Sequence, residues 1–155
     1  VVAAVLVMAV ALPVVYYLAS PLFINVRVDE QLRSQTGSPP AEFASGNFVD
    51  ADSFHRASGV AKLVRLTDGT YVVRLEGFQV TNGPDLYVYL TSSRDPSDGF
   101  VNLGRLKGNI GDQNYDVPAG TPLDKYRFVI IWCKAFSVLF GYAELEALRG
   151  TLPGY

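Results

Sequence analysis

The 155-residue chain has one cysteine, one histidine, one methionine and one tryptophan, and no charged residue from Val1 to Asn25. With one cysteine, no intramolecular disulfide can form. A lone Cys and a lone His fall short of any standard zinc ligand set. Without a Gly-x-Ser-x-Gly elbow, a Ser-His-Asp hydrolase has weak warrant. Gly104, Gly108 and Gly111 do not form a phosphate loop, since no Gly-Lys-Ser/Thr ending follows them. No Lys/Arg cluster exists and the net charge is −2, so nucleic acid is excluded as a partner. Internal repeats and low-complexity tracts are absent as well.

What is present begins with an apolar stretch. Residues 1–24 are mostly Val, Ala, Leu and Tyr. As a helix, roughly 24 such residues would extend about 36 Å, enough for a hydrocarbon core of about 30 Å. Pro13 interrupts the stretch, which a membrane helix tolerates better than a water-exposed one. A cleaved signal peptide is the competing reading. Its best site, around Ala19 and Ser20, is followed at once by Pro21, which disfavours cleavage. The expectation is a single transmembrane helix over 1–24, with the N-terminus inside and the rest of the chain on the extracytoplasmic side. An exported protein with one unpaired cysteine is unusual, because its compartment is oxidising.

Residues 25–43 read as an extended linker with a breaker-rich centre, Thr36-Gly37-Ser38-Pro39-Pro40. From 44 to 148, short apolar runs alternate with turn signals at roughly ten-residue spacing, the pattern of an all-β sandwich or barrel. Asp68-Gly69 joins a strand ending at Leu66 to one starting at Tyr71, making a hairpin. In Tyr71 to Glu76, alternation puts Tyr71, Val73 and Leu75 on one face and turns Arg74 and Glu76 to water. Leu86 to Leu90 is apolar on both faces and reads as a central strand. The runs Tyr126–Cys133 and Phe136–Leu145 are the most hydrophobic of the domain; Glu144 to Arg149 is the one short helical candidate. The fold class is therefore all-β: an antiparallel β-sandwich of about eight strands preceded by one transmembrane helix. Leu86, Val88, Leu90, Phe128, Ile130, Trp132, Val138 and Phe140 are its expected core.

Cys133 carries the chemical question. It is a buried inert thiol, a bridge to another chain, or a thiol used in redox or ligation. Its place at a strand end predicts partial exposure at the rim. Lys134 beside it would favour the thiolate, and Trp132 and Phe136 offer aromatic walls. His55, in a turn before a strand, is either a hydrogen-bonding turn residue or a ligand. The loop carboxylates Asp50, Asp52, Asp95 and Asp98 read as solvated turn residues rather than a calcium site.

Several motifs occur together and in order: His55-x-x-Ser58-Gly59, Gly83-Pro84-Asp85-Leu86-x-Val88-Tyr89-Leu90, Leu103-Gly104-x-Leu106-Lys107-Gly108, Gly111-x-Gln113-x-Tyr115, and Trp132-Cys133-x-x-Phe136 through Leu145. From Phe43 to Leu145 the chain resembles the DM-thirteen domain family. The resemblance implies a β-sandwich related to haem- and sugar-binding DOMON domains, in exported or membrane-attached proteins, with a role in electron transfer. It implies that Cys133 is the family's signature cysteine, a free thiol or the holder of a prosthetic group, of which haem is one candidate. His55 would then be a second ligand or polar contact, and Gly83, Pro84, Asp85, Trp132, Lys134 and Phe136 would shape the turn and pocket around it. The redox partner is unknown. An electron-transfer or binding domain is the expectation, rather than a stand-alone enzyme; the alternative is a non-catalytic extracellular binding or adhesion module in which Cys133 is structural.

Overall fold

The structure is a computed structural model, and it describes residues 2–20, 23–33 and 40–148. Strands β1 (Ala41–Asp50), β2 (Ala57–Arg65), β3 (Tyr71–Val80), β4 (Leu86–Thr91), β5 (Phe100–Arg105), β6 (Gln113–Val117), β7 (Phe128–Cys133), β8 (Val138–Glu144) and the short β9 (Glu146–Ala147) follow a helix, α1 (Val2–Ala19). Every strand pairing is antiparallel. The order is β5-β4-β7-β8-β1-β2-β3-β6, with β9 on β1.

The expected sandwich is one continuous, nearly closed sheet. β1 joins its halves, pairing with β2 through Ala41–Asn47 and with β8 through Phe48–Asp50. The free edges, β5 and β6, come together near Lys107, whose backbone N–H donates to the Tyr115 hydroxyl at 3.0 Å. The region expected to be a C-terminal helix is β9 instead, its backbone held to β1; Arg149 of that expectation lies outside the described residues.

One core fills the interior. β3 contributes Val73, Leu75 and Phe78, β4 contributes Leu86, Val88 and Leu90, β7 contributes Val129, Ile131 and Cys133, and β8 contributes Phe140 and Ala143. Strand alternation explains why three of the eight expected core residues, Phe128, Ile130 and Trp132, are elsewhere, while Val138 packs against this core half-buried. Ile130 is buried but faces outward, where it pairs with Tyr89 and Tyr142; Phe128 and Trp132 share that outer face and are half-buried. An aromatic layer that includes the Tyr89–Phe100 stack, at 4.4 Å between ring centroids, lines this outer surface. An apolar run on both faces therefore does not mark two core faces.

The segment expected to be a free tether is docked as far as it is described. Val28 N–H donates to Ile110, Ile110 N–H to Val26 and Glu30 N–H to Asp112, so that residues 26–30 run as a strap beside the start of β6. Gly111 admits it: its φ is +103°, and a Cβ there would overlap the Val28 carbonyl. Glu30 anchors the strap through both carboxylate oxygens on Lys107 Nζ (2.8 and 2.9 Å) and by accepting from Asn114 N–H. Burial pushes the Glu30 carboxyl up, but these bonds and the Lys107 and Arg33 charges outweigh it, so its pKa lies below the usual value. The strap also corrects the place of Arg74. That side chain is not turned to water; it is buried, and its guanidinium bonds Glu76 (2.7 Å), Asp112 (2.8 Å), Asn114 (3.0 Å) and the Glu30 carbonyl (3.1 Å). The breaker-rich stretch 36–39 lies outside the described residues.

The expected membrane span is not met. α1 has 18 residues, about 27 Å of helix against a hydrocarbon core of about 30 Å. Among the described residues, no helix is long and apolar enough to cross a membrane. Pro21, the residue that disfavours cleavage after Ser20, lies outside the described residues. Consecutive Val5, Leu6, Val7 and Met8 are all exposed, so α1 presents apolar side chains on every face.

Candidate functional site at the Cys133 end of the barrel

β7 runs about 17 Å from Phe128 to Cys133 and fixes the two ends of the barrel. At the Cys133 end, the cysteine pairs with Leu86 of β4 on one side and Val138 of β8 on the other. Its exposure is 0 %, and it belongs to the main core. The expected rim position is therefore corrected. A strand end is open only if nothing crosses it, and here Cys133 is held between Leu86 and Val138, with the Gly83–Leu86 segment and Phe140 packed on each other beside Leu86.

Gly83 is required at that contact. A Cβ there would lie 2.8 Å from Leu86 Cδ2 and 2.9 Å from the Phe140 ring, too close for either to remain in place. The outer surface of Phe140 is covered in turn by His55, with ring centroids 4.3 Å apart and planes tilted by 52°. A continuous stack therefore runs from the half-buried His55 through Phe140 to Gly83 and Leu86, the strand neighbour of Cys133.

Asp52 organises the loop that carries His55. Its Oδ2 lies 2.7 Å from His55 Nδ1, while Oδ1 accepts from the backbone N–H groups of Phe54 (2.7 Å) and His55 (2.8 Å). The His55 side chain, then the two backbone N–H groups, hold the Asp52 carboxyl down at about 2. Asp50 does similar work, accepting from Ala57 N–H at 2.8 Å where β2 begins. Reading these carboxylates as turn residues is consistent with the bonds they make. What the sequence reading missed was the Asp-x-x-His pairing of Asp52 with His55, whose signal was their spacing. A group with a lowered folded pKa stabilises above its ordinary value, here 3.8, and that contribution is lost as pH falls through about 2. Thermal unfolding of wild type and Asp52→Asn should therefore converge as pH falls through that window, having differed above it. Parallel curves across the window would exclude the pairing.

The remaining residues of the motif divide between the two faces. Lys134 donates its backbone N–H to the Asp85 carbonyl at 3.0 Å, but its ammonium lies 5.6 Å from the centroid of the outward-facing Tyr87 ring. It is therefore on the face opposite the thiol. Trp132 pairs with Tyr87 and Leu139 on that same outer face, and Phe136 is exposed in the β7–β8 turn, so neither makes an aromatic wall around the sulfur. Pro84 offers its carbonyl to Arg105 at 2.9 Å, and the Asp85 carboxylate lies 3.7 Å from the same guanidinium. The structure thus brings Cys133, Gly83 and His55 to one end of the barrel, uses Pro84, Asp85 and the Lys134 backbone to tie the loops there, and turns Trp132, Phe136 and the Lys134 side chain away.

A search of known families matches one over residues 47–145, described as Electron transfer DM13. The chain belongs to the DM13 family. No curated protein and no solved structure matches it. For this DM13 domain the family description indicates a redox role. Haem held by Cys133 and His55 does not fit the packing. None of the described cavities is lined by either residue, and an iron reaching the sulfur would displace Leu86 or Val138 from the core. His55 is already committed to Asp52 and Phe140. Among the described residues, no group of three or more His, Cys, Asp or Glu is placed to hold a metal ion.

Proposed function

We propose that this DM13 domain takes part in electron transfer through the Cys133 thiol, which is reached when the cover formed by His55, Phe140 and the Gly83–Leu86 segment opens. The observation that supports this reading is the stacking of these separate segments onto Leu86, the strand partner of the one buried cysteine, inside the stretch matched to the family. In the opened state, the Cys133 thiolate attacks one sulfur of a disulfide carrier. A Cys133–carrier disulfide forms, the carrier's own disulfide breaks, and its other half leaves as a thiolate with the electron pair. The domain would operate on the extracytoplasmic side of a membrane, where disulfide carriers persist. Support for a membrane location comes from α1, which is uncharged and apolar on all sides.

The test uses glutathione disulfide with the whole chain and mass spectrometry. Wild type should acquire one glutathione per chain and lose it on treatment with a reductant, and Phe140→Ala should do so faster. Absence of any adduct from either protein under native conditions would remove Cys133 from the electron-transfer role. Retention in the membrane fraction through a carbonate wash tests the location separately.

A second reading is a binding module in which Cys133 only packs. The complete burial of the thiol favours it. Under that reading, Cys133→Ala keeps every measurable function.

A further inference from the structure

The opposite end of the barrel holds a cavity that the Cys133 chemistry does not use. Its volume is about 610 Å³, and it lies among β1, β2, β3, β9 and the segment before β7. That size is within the range of small-molecule sites, roughly 300–1,000 Å³. Its walls carry the rings of Phe43, Tyr71 and Tyr126, and Phe43 and Tyr71 meet edge to face at 5.7 Å. Leu63 and Leu145, both members of the main core, close its floor. The rim is polar, with Asp124, Arg127 and Glu146.

These features together define a ligand. Aromatic walls favour a flat ring, which buries area against their faces and edges. A floor of core leucines rejects a charged group, since burying one unpaired is strongly unfavourable. A ligand with no polar atom would leave the rim unused. Arg127, exposed and 3.3 Å from Glu144, offers guanidinium donors that a neutral oxygen on the ligand can accept from.

We propose that this mouth of the barrel binds a flat, apolar, uncharged ring bearing a carbonyl or phenol oxygen, with the ring between Tyr71 and Tyr126 and the oxygen toward Arg127. The ligand class follows from the cavity; its identification as a quinone-type electron carrier rests on the electron-transfer reading. No bond is formed or broken in the binding itself.

Duroquinone is a suitable probe because its fully methylated ring resists addition of the thiol. Titration of the whole chain by calorimetry should show saturable one-to-one binding, with backbone amide shifts in NMR confined to residues around Tyr71, Tyr126 and Ala147. Ala147 is exposed on the rim, so Ala147→Trp fills the mouth without opening the core. It should weaken binding at least tenfold while leaving the melting temperature close to wild type. Arg127→Met should weaken duroquinone severalfold. Absence of saturable binding, or unchanged affinity in Ala147→Trp, would overturn the proposal. The two readings fail separately: loss of the glutathione adduct would remove the thiol chemistry alone, whereas this site predicts unchanged duroquinone affinity in Cys133→Ala, and a weakened one would overturn it.

Discussion

Replacing Phe78 by alanine is expected to lower stability by about 3–5 kcal/mol, a large share of the roughly 5–15 kcal/mol that holds a domain folded. Phe78 is 1 % exposed and packs against Phe48 with centroids 4.9 Å apart at 60°. This contact joins β3 to the part of β1 that pairs with β8, so it links the two halves of the sheet from inside. Truncation leaves a cavity at that junction, where neighbouring backbones are held by ladder bonds on both sides and cannot collapse fully. The urea midpoint should fall while the slope of the transition stays near wild type. Phe136→Ala, at an exposed turn position, should change stability by no more than about 0.5 kcal/mol. Equal effects of the two substitutions would mean that the core is not where the structure puts it.

The second large effect concerns the thiol. In native buffer, alkylation of Cys133 by iodoacetamide should be slower than in denaturant by about three or four powers of ten. The factor follows because a fully buried group reacts only from an opened state, and each 1.4 kcal/mol of opening free energy is tenfold. Native reaction within tenfold of the denatured rate would contradict the burial. Phe140→Ala distinguishes how the opening occurs. If the cover moves as a local unit, the variant speeds native alkylation by more than its loss of global stability accounts for. If the thiol is reached only by global unfolding, the two changes match. That second outcome favours the structural reading of Cys133 over the redox one.

The elements with local signals were legible in the sequence. Asp68-Gly69 marks the β2–β3 hairpin because its chemistry is contained within the turn, and the run from Leu86 to Leu90 is a central strand, flanked by β5 and β7. What was not legible depends on distant partners. Arg74 reads as a solvent residue from its own strand; only the strap from Val26 to Glu30 buries it, and that segment looks like a tether because its hydrogen-bond partners lie around Ile110 and Asp112. The position of Cys133 failed for the same reason. A strand end is open when read in one dimension, whereas Leu86 and Val138 arrive from other strands to flank it, with Gly83 and Phe140 packed against Leu86. Trp132 and Cys133 also show that an uninterrupted apolar strand carries no mark of which face is inward. Only the pairing of β7 with β4 and β8 decides that.

A sheet that does not quite close leaves main-chain groups available for recruitment, and an unoccupied margin is where a second chain can add itself and propagate a fibre. In this molecule, the entry to β6 already carries main chain from the same polypeptide, with Val26, Val28 and Glu30 engaging Ile110 and Asp112. Polymerisation through that margin would first have to displace an intramolecular competitor present at high effective concentration. Removing residues 1–33 should therefore make the barrel self-associate from its β6 side, even where its fold survives.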